Sequence, residues 1–179
     1  PALFAVAILC LVGVFCWHAV RATPATLRTA ASDSSTASFS ALRAKTHIEK
    51  IARSPHPAGS PAAAEVRAYV TGELRRLGLR PSVRESTAVL PGEGGWAHLA
   101  GRVHNITATL PGRQPTGRVL LVAHTDSVVS GPGASDDGLG VASLLEIARA
   151  LRDDPRQRND VVLLFTDAEE IGQLGALAF

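Results

Sequence analysis

The stretch "LLVAHTDSVVSGPGASDDGLG", residues 120–140, decides how the rest of the chain is read. An apolar run with the length and character of a buried strand ends on His124. Asp126 follows two residues later, and a Gly/Pro-rich loop then brings Asp136 and Asp137. Gathering such groups away from water is costly unless they are paired or hold an ion. Beyond the loop, Val141, Leu144, Leu145, Ala148 and Leu151 recur at the spacing of a core-facing helix. "VVLLFT", residues 161–166, is continuous and apolar, as a strand buried on both faces should be. "DAEEIGQLGALAF", residues 167–179, reads as the start of another helix. This βαβ rhythm predicts an α/β fold with a mixed, largely parallel central sheet flanked by helices.

Working upstream, the pattern predicts a helix over 40–53 with Leu42, Ile48 and Ile51 facing inward. "SPHPAGSP", residues 54–61, breaks it with three prolines. A second amphipathic helix is expected over 62–77, where Val66, Tyr69, Val70, Leu74 and Leu77 share a face and Gly78 stands in the C′ position. Strands are expected at 82–90, 103–110 and 118–123. Turns fall at "LPGEGG" (90–95) and "LPGRQPTG" (110–117), and a polar loop at "RDDPRQRND" (152–160).

The first twenty residues, "PALFAVAILCLVGVFCWHAV", are apolar almost throughout, with Trp17 and His18 near the end. About 20 residues at 1.5 Å rise cross a bilayer core of about 30 Å, and a tryptophan suits its interface. A cleaved signal peptide is the competing reading, but the run exceeds the usual apolar region of roughly 7–15 residues. Residues 1–20 are therefore expected to form one transmembrane helix or signal anchor. Residues 21–39 are small and polar and read as a linker, which leaves 40–179 for the folded part. Arg21 and Arg28 follow the span, but orientation needs both flanks. The chain opens on Pro1 and ends on Phe179 within what reads as an unfinished helix, so the expectation is a truncated domain.

A formal charge of +2, with no basic run interleaved with aromatics, argues against nucleic acid. Both cysteines, Cys10 and Cys16, lie in the apolar run, so the folded part has neither a disulfide framework nor a thiolate metal site. "HNIT" contains an N-glycosylation triplet at Asn105, a common pattern of low weight. The sequence leaves the oligomeric state open.

In open α/β sheets, ligand sites lie at the carboxyl ends of strands. His124 follows the strand 118–123, while Asp167, Glu169 and Glu170 follow the strand 161–166. If these strands are parallel neighbours, both clusters open on one edge, and the loop carrying Asp136 can fold over it. One imidazole with several carboxylates suits a hard or borderline divalent ion, and zinc takes such ligands at about 2.0–2.2 Å. In an extended segment Asp126 points to the same side as His124 and can hold its second ring nitrogen. Plainer readings stand beside this one. Asp136 or Asp137 could cap the helix near Gly138. Glu169 and Glu170 could be acids of a helix's first turn. His124 could be a core histidine bonded to backbone. Gly131, Gly133 and Gly138 let the backbone turn sharply around the cluster.

"HTDS", "GASDDGLGVASLLEIARAL" and "DAEEIGQLG" together resemble the M28 family of zinc aminopeptidases, from about residue 119 to 179. A weaker likeness runs back through "PHPAGSPAAAEVRAYVTGELRRLGL", a segment that precedes the catalytic core in membrane-embedded members. The resemblance implies a zinc-exopeptidase-like fold, peptide substrates, two Zn2+ per complete domain, and a peptidase domain on the extracytoplasmic or luminal side of a membrane. By the same resemblance His124 matches a ligand of one zinc, Asp136 the bridging aspartate and Glu170 a ligand of the other. Glu169 matches the general base and Asp126 the carboxylate that orients the histidine. Asp137 matches the residue joined to the bridging aspartate by a cis peptide bond. A later aspartate and histidine complete the family's site, so this stretch alone is expected to be inactive. The alternatives are an M28-like receptor domain without catalysis, a single-zinc glutaminyl cyclase-like acyltransferase, and the wider co-catalytic zinc exopeptidases.

Overall fold

The structure, a computed structural model, describes residues 2–22, 38–92, 98–153 and 157–179. The expected linker falls, over 23–37, outside the described residues, as do 93–95 of the first turn and 154–156 of the polar loop.

The apolar run forms α1, Ala2–Ala22, with Leu11, Val12, Val14, Phe15 and Trp17 exposed and the Arg21 guanidinium 4.2 Å from the Trp17 ring centre. Among the described residues no helix is long and apolar enough to cross a membrane, so the transmembrane helix expected at 1–20 is not found. The helix itself is there.

Two helices follow, α2 (Ala41–Ile51) and α3 (Pro61–Arg76). The Ser40 hydroxyl caps α2 by accepting from the Arg43 amide, and the Ser60 hydroxyl caps α3 by accepting from the Ala63 amide, with Pro61 in the first turn. Gly78, at φ +76°, ends α3 in the left-handed conformation expected of a C′ glycine. Ala44 and Ile51 are the buried residues of α2; Leu42, expected inward, is exposed.

The sheet contains β1 (Ser82–Pro91), β2 (His98–Leu110), β3 (Arg118–His124) and β4 (Asp160–Thr166), in the order β1-β2-β4-β3. Only β3 and β4 are parallel; β2 runs antiparallel to both β1 and β4. The sheet is mixed but not largely parallel. The short connection between β1 and β2 permits only an antiparallel pair, while the helix α4 (Gly138–Asp153) supplies the crossover a parallel pair requires. β4 sits between β2 and β3, and its apolar residues are buried on both faces, as read. β3 is instead an edge strand whose Val119, Leu120 and Val122 are exposed.

Alternate residues of the strands face opposite sides. Ile106, Ala108, Val161, Leu163 and Phe165 pack against Val66, Val70 and Leu74 of α3 and Val141, Leu145 and Ala148 of α4. On the other face Val103 and Ala88 meet Ala168 and Leu174, the latter in the four-residue helix α5 (Leu174–Leu177). The helix expected at 167–179 is therefore reduced to one turn. Ala168 (φ +56°), Gly172 (φ +102°) and Gln173 (φ +57°) are left-handed and cannot continue a right-handed helix. Polar side chains are buried in the helical layer as well, Glu146 most completely. Glu146 of α4, 1% exposed, accepts from the Ser40 amide at 2.8 Å, Arg43 Nε at 3.0 Å and Arg149 Nε at 2.7 Å. Burial alone would raise its carboxyl group, but these donors hold it below its ordinary value.

Candidate functional site

His124 is the last residue of β3 and lies in register with Thr166, the last residue of β4. Because the strands are parallel neighbours, the condition set by the sequence reading, both polar clusters leave the sheet at the same edge. His124 Nε2 is 3.0 Å from Asp136 Oδ1 and 3.8 Å from Glu169 Oε2. Its Nδ1 is 3.1 Å from the Asp126 carbonyl and 3.5 Å from Asp126 Oδ1. Both ring nitrogens thus face oxygen. Burial would lower the imidazole, but the hydrogen bonds to Asp126 and Asp136, with the charges of Asp126 and Asp137, raise it to about 9.

Asp126 is 1% exposed and does more than orient the histidine. Its Oδ1 accepts from the Glu169 amide at 3.0 Å and its Oδ2 from the Glu170 amide at 3.1 Å. Burial would raise this carboxyl group, yet His124 and the two amides hold it below its ordinary value. Asp126 therefore ties the end of β3 to the loop after β4, and with it fixes where both glutamates start.

The two aspartates after the glycine-rich loop divide their work. Asp137 caps α4: Oδ1 accepts from the Gly140 amide at 2.9 Å, and Oδ2 accepts from the His124 amide at 3.2 Å. The plainer reading thus holds for Asp137. Asp136 caps nothing; its side chain is 82% exposed and meets His124. The peptide bond between them is cis. The other plain reading, that Glu169 and Glu170 belong to a helix's first turn, fails because both lie in a loop.

Two residues were not singled out in the sequence. Ser127 Oγ accepts from the His56 amide at 2.9 Å, and the Ser127 amide reaches the His56 carbonyl at 3.3 Å. "SPHPAGSP" thus braces "HTDS" from behind. The signal was present in the proline-fixed backbone around His56, which predicts a rigid, non-helical segment but not its partner.

One pair of donors, His124 and Asp136, has a separation compatible with a shared zinc ion. Two atoms each about 2.0–2.1 Å from a tetrahedral ion lie about 3.3 Å apart, close to the His124–Asp136 separation. A cation would replace the Nε2 proton while Nδ1–H stays bonded to oxygen of Asp126, the usual support of a metal-bound imidazole. Glu169 stands beside this pair; Glu170 is anchored by its amide, and its carboxylate makes no hydrogen bond or ion pair among the described residues. Among the described residues no group of three or more His, Cys, Asp or Glu is arranged to hold an ion.

Residues 105–179 match the profile of peptidase family M28. This stretch belongs to that family. The chain is similar to known proteins whose names give more than one activity. A vacuolar membrane protease of Schizosaccharomyces japonicus is 35% identical over 148 residues, which is 77% of this chain and 17% of that protein. A probable leucine aminopeptidase 2 of Aspergillus oryzae is 47% identical over 73 residues, 41% of this chain and 14% of that protein. Among solved structures, a Zn-dependent exopeptidase of Parabacteroides distasonis superposes with a TM-score of 0.64 at 26% identity, covering 79% of this chain and 55% of that one. A glutaminyl cyclase of Porphyromonas gingivalis gives 0.58 at 32% identity, covering 72% and 45%. The chain thus spans a small part of its curated relatives and about half of the solved chains. The α/β fold with a mixed sheet flanked by helices is that of zinc exopeptidases.

Proposed function

We propose that this M28 segment carries part of the active site of a zinc-dependent exopeptidase of the aminopeptidase type. The observation that carries the reading is the His124–Asp136 pair at 3.0 Å, with the Glu169 carboxylate 3.8 Å from the same ring nitrogen, at the ends of two parallel strands. In this reading His124 and Asp136 would hold one zinc, and Asp136 with Glu170 would hold a second. Bound zinc supplies Lewis acidity and lowers the pKa of water towards about 7.

The chain's own residues do the rest. Glu169 takes the proton of the attacking water and returns it to the leaving amine as the peptide bond breaks. Asp126 sets the position of that carboxylate through the Glu169 amide and keeps Nδ1 of His124 occupied by oxygen. The open face at Asp136 admits a peptide chain end. The name of the S. japonicus relative supports membrane association of the intact protein; in this reading the site faces the extracytoplasmic or luminal side.

The test uses the intact protein. Glu169→Gln is expected to keep its zinc and lose turnover of a free-N-terminal peptide by a factor of roughly 100–10,000; wild-type turnover in that variant would overturn the base assignment. The glutaminyl cyclase likeness favours a second reading, cyclisation of N-terminal glutamine at a single zinc. Released ammonia and one zinc per chain would establish it over the peptidase.

A further inference from the structure

Asn105 lies in β2, 4% exposed, one residue beyond the last β2–β4 pair, Ile106 with Phe165. At that point the β2–β4 pairing has ended; Thr166 closes β4, and the loop carrying Glu169 and Glu170 follows. The Asn105 side chain continues where the ladder stops. Its Oδ1 accepts from the Asp167 amide at 3.2 Å, and its Nδ2 donates to the Gly175 carbonyl at 2.7 Å. Those two partners are the two sides of the loop's neck, themselves joined by the Gly175 amide donating to the Asp167 carbonyl at 2.9 Å. The adjacent His104 amide adds a bond to Asp167 Oδ2 at 2.9 Å.

The neck is also closely packed. A Cβ on Gly175 would lie 2.2 Å from the Asp167 carbonyl oxygen and 2.7 Å from Asn105 Oδ1. Inside it, left-handed backbone at Ala168, Gly172 and Gln173 shows that the loop's path is not one a regular helix would choose. Its own backbone bonds, such as the Gln173 amide to the Glu169 carbonyl at 2.8 Å, share in setting that path with bonds from outside, from Asp126 and from Asn105.

We infer that Asn105 is a positioning residue, which fixes Glu169 and Glu170 by clamping both sides of their loop, and not a surface glycan acceptor. Only an asparagine fits this role. The Asp167 amide needs an acceptor and the Gly175 carbonyl needs a donor at side-chain spacing. Aspartate would set its second oxygen against the Gly175 carbonyl, and glutamine is one methylene too long for the gap. The triplet Asn105-Ile106-Thr107 offers a glycan only the Nδ2 atom that the fold has already buried and bonded. The part of this inference that concerns turnover rests on the peptidase reading; the clamp does not.

The experiment compares the intact wild-type protein with Asn105→Asp, Asn105→Ala and Thr107→Ala. Thr107→Ala abolishes the glycan triplet and leaves the clamp. Hydrogen exchange of the amides over 167–175 is expected to quicken by roughly tenfold in both Asn105 variants, the factor one hydrogen bond's net contribution corresponds to. It should stay at the wild-type rate in Thr107→Ala. Peptide turnover by the Asn105 variants should lose on the order of ten- to a hundredfold in kcat with KM little changed, as expected of a misplaced catalytic group. Exchange and kcat at wild-type level in Asn105→Asp would overturn the inference. So would a glycan on Asn105 in folded, secreted wild-type protein, a measurement that needs no variant. Slow exchange in the wild type, lost in the Asn105 variants, upholds the clamp even if the intact protein proves to cleave no peptide, which separates this inference from the reading of activity.

Discussion

The carboxylate of Asp126, at the end of β3, accepts the backbone amide of Glu169 at 3.0 Å across the sheet edge. With the neighbouring Glu170 amide also bound, one buried side chain sets the origin of both glutamates. Asp126→Ala should leave two amides without an acceptor, and each unsatisfied donor costs about 1–3 kcal/mol. Asp126→Asn should also lose stability, since its NH2 must face one of the two N–H groups. Urea unfolding of both variants checks the point. Midpoints equal to wild type would mean that the loop is held by other contacts.

Asp136 offers the opposite case, because its side chain is 82% exposed and supports no helix. Asp136→Ala should therefore leave the unfolding free energy within about 0.5 kcal/mol of wild type after chelation of metal. Zinc bound per intact chain, read by atomic emission, should fall. Unchanged zinc content in Asp136→Ala would remove this residue from the ligand set.

Glu146 gives a pH dependence far from the site. Its folded carboxyl group lies below the ordinary value, so the unfolded chain binds a proton first as pH drops. The stability it contributes is complete above the ordinary carboxyl pKa, about 4.3, and is lost as pH falls through the lower folded value. Glu146→Gln should weaken charge-assisted bonds worth about 1.5–3 kcal/mol each. The gap between wild type and variant should be largest near neutral pH and close towards pH 3. Thermal unfolding from pH 3 to 7 measures it, and a gap that does not change with pH would refute the linkage.

Much of this architecture was legible because it rests on periodicity and punctuation. "VVLLFT" read as a doubly buried strand because a central strand has no polar face to offer. The apolar spacing from Val66 to Leu77, with Gly78 after it, marked α3 to within a residue. The approach of Asp136 and Glu169 to His124 was expected only on the condition that β3 and β4 are parallel neighbours, which they are. The sheet is mixed, as expected, but not largely parallel: the βαβ rhythm holds for β3 and β4 only, while β2 runs antiparallel to both β1 and β4. The loop at 167–173 was misread as helix because its residues have adequate helical propensity; the bonds that override it come from Asp126 and Asn105, forty and more positions away in sequence. Asn105 itself was hidden by its own triplet, which pointed to a surface role for a buried side chain.

The neck of that loop offers a test by volume instead of bonding. Gly175 lies outside the left-handed region, so an alanine there meets no backbone restriction of its own. Its Cβ would nonetheless sit 2.2 Å from the Asp167 carbonyl oxygen and 2.6 Å from the Asp167 nitrogen. Both are backbone atoms, so no rotamer change can relieve the overlap, and the neck must open. Overpacking of this kind costs about 1–3 kcal/mol. Gly175→Ala should therefore unfold at lower urea and speed exchange over 167–175, as the Asn105 variants do. Gly117→Ala is the control, because a Cβ there meets nothing within 4 Å. If Gly175→Ala behaves like Gly117→Ala, the neck is looser than its contacts imply.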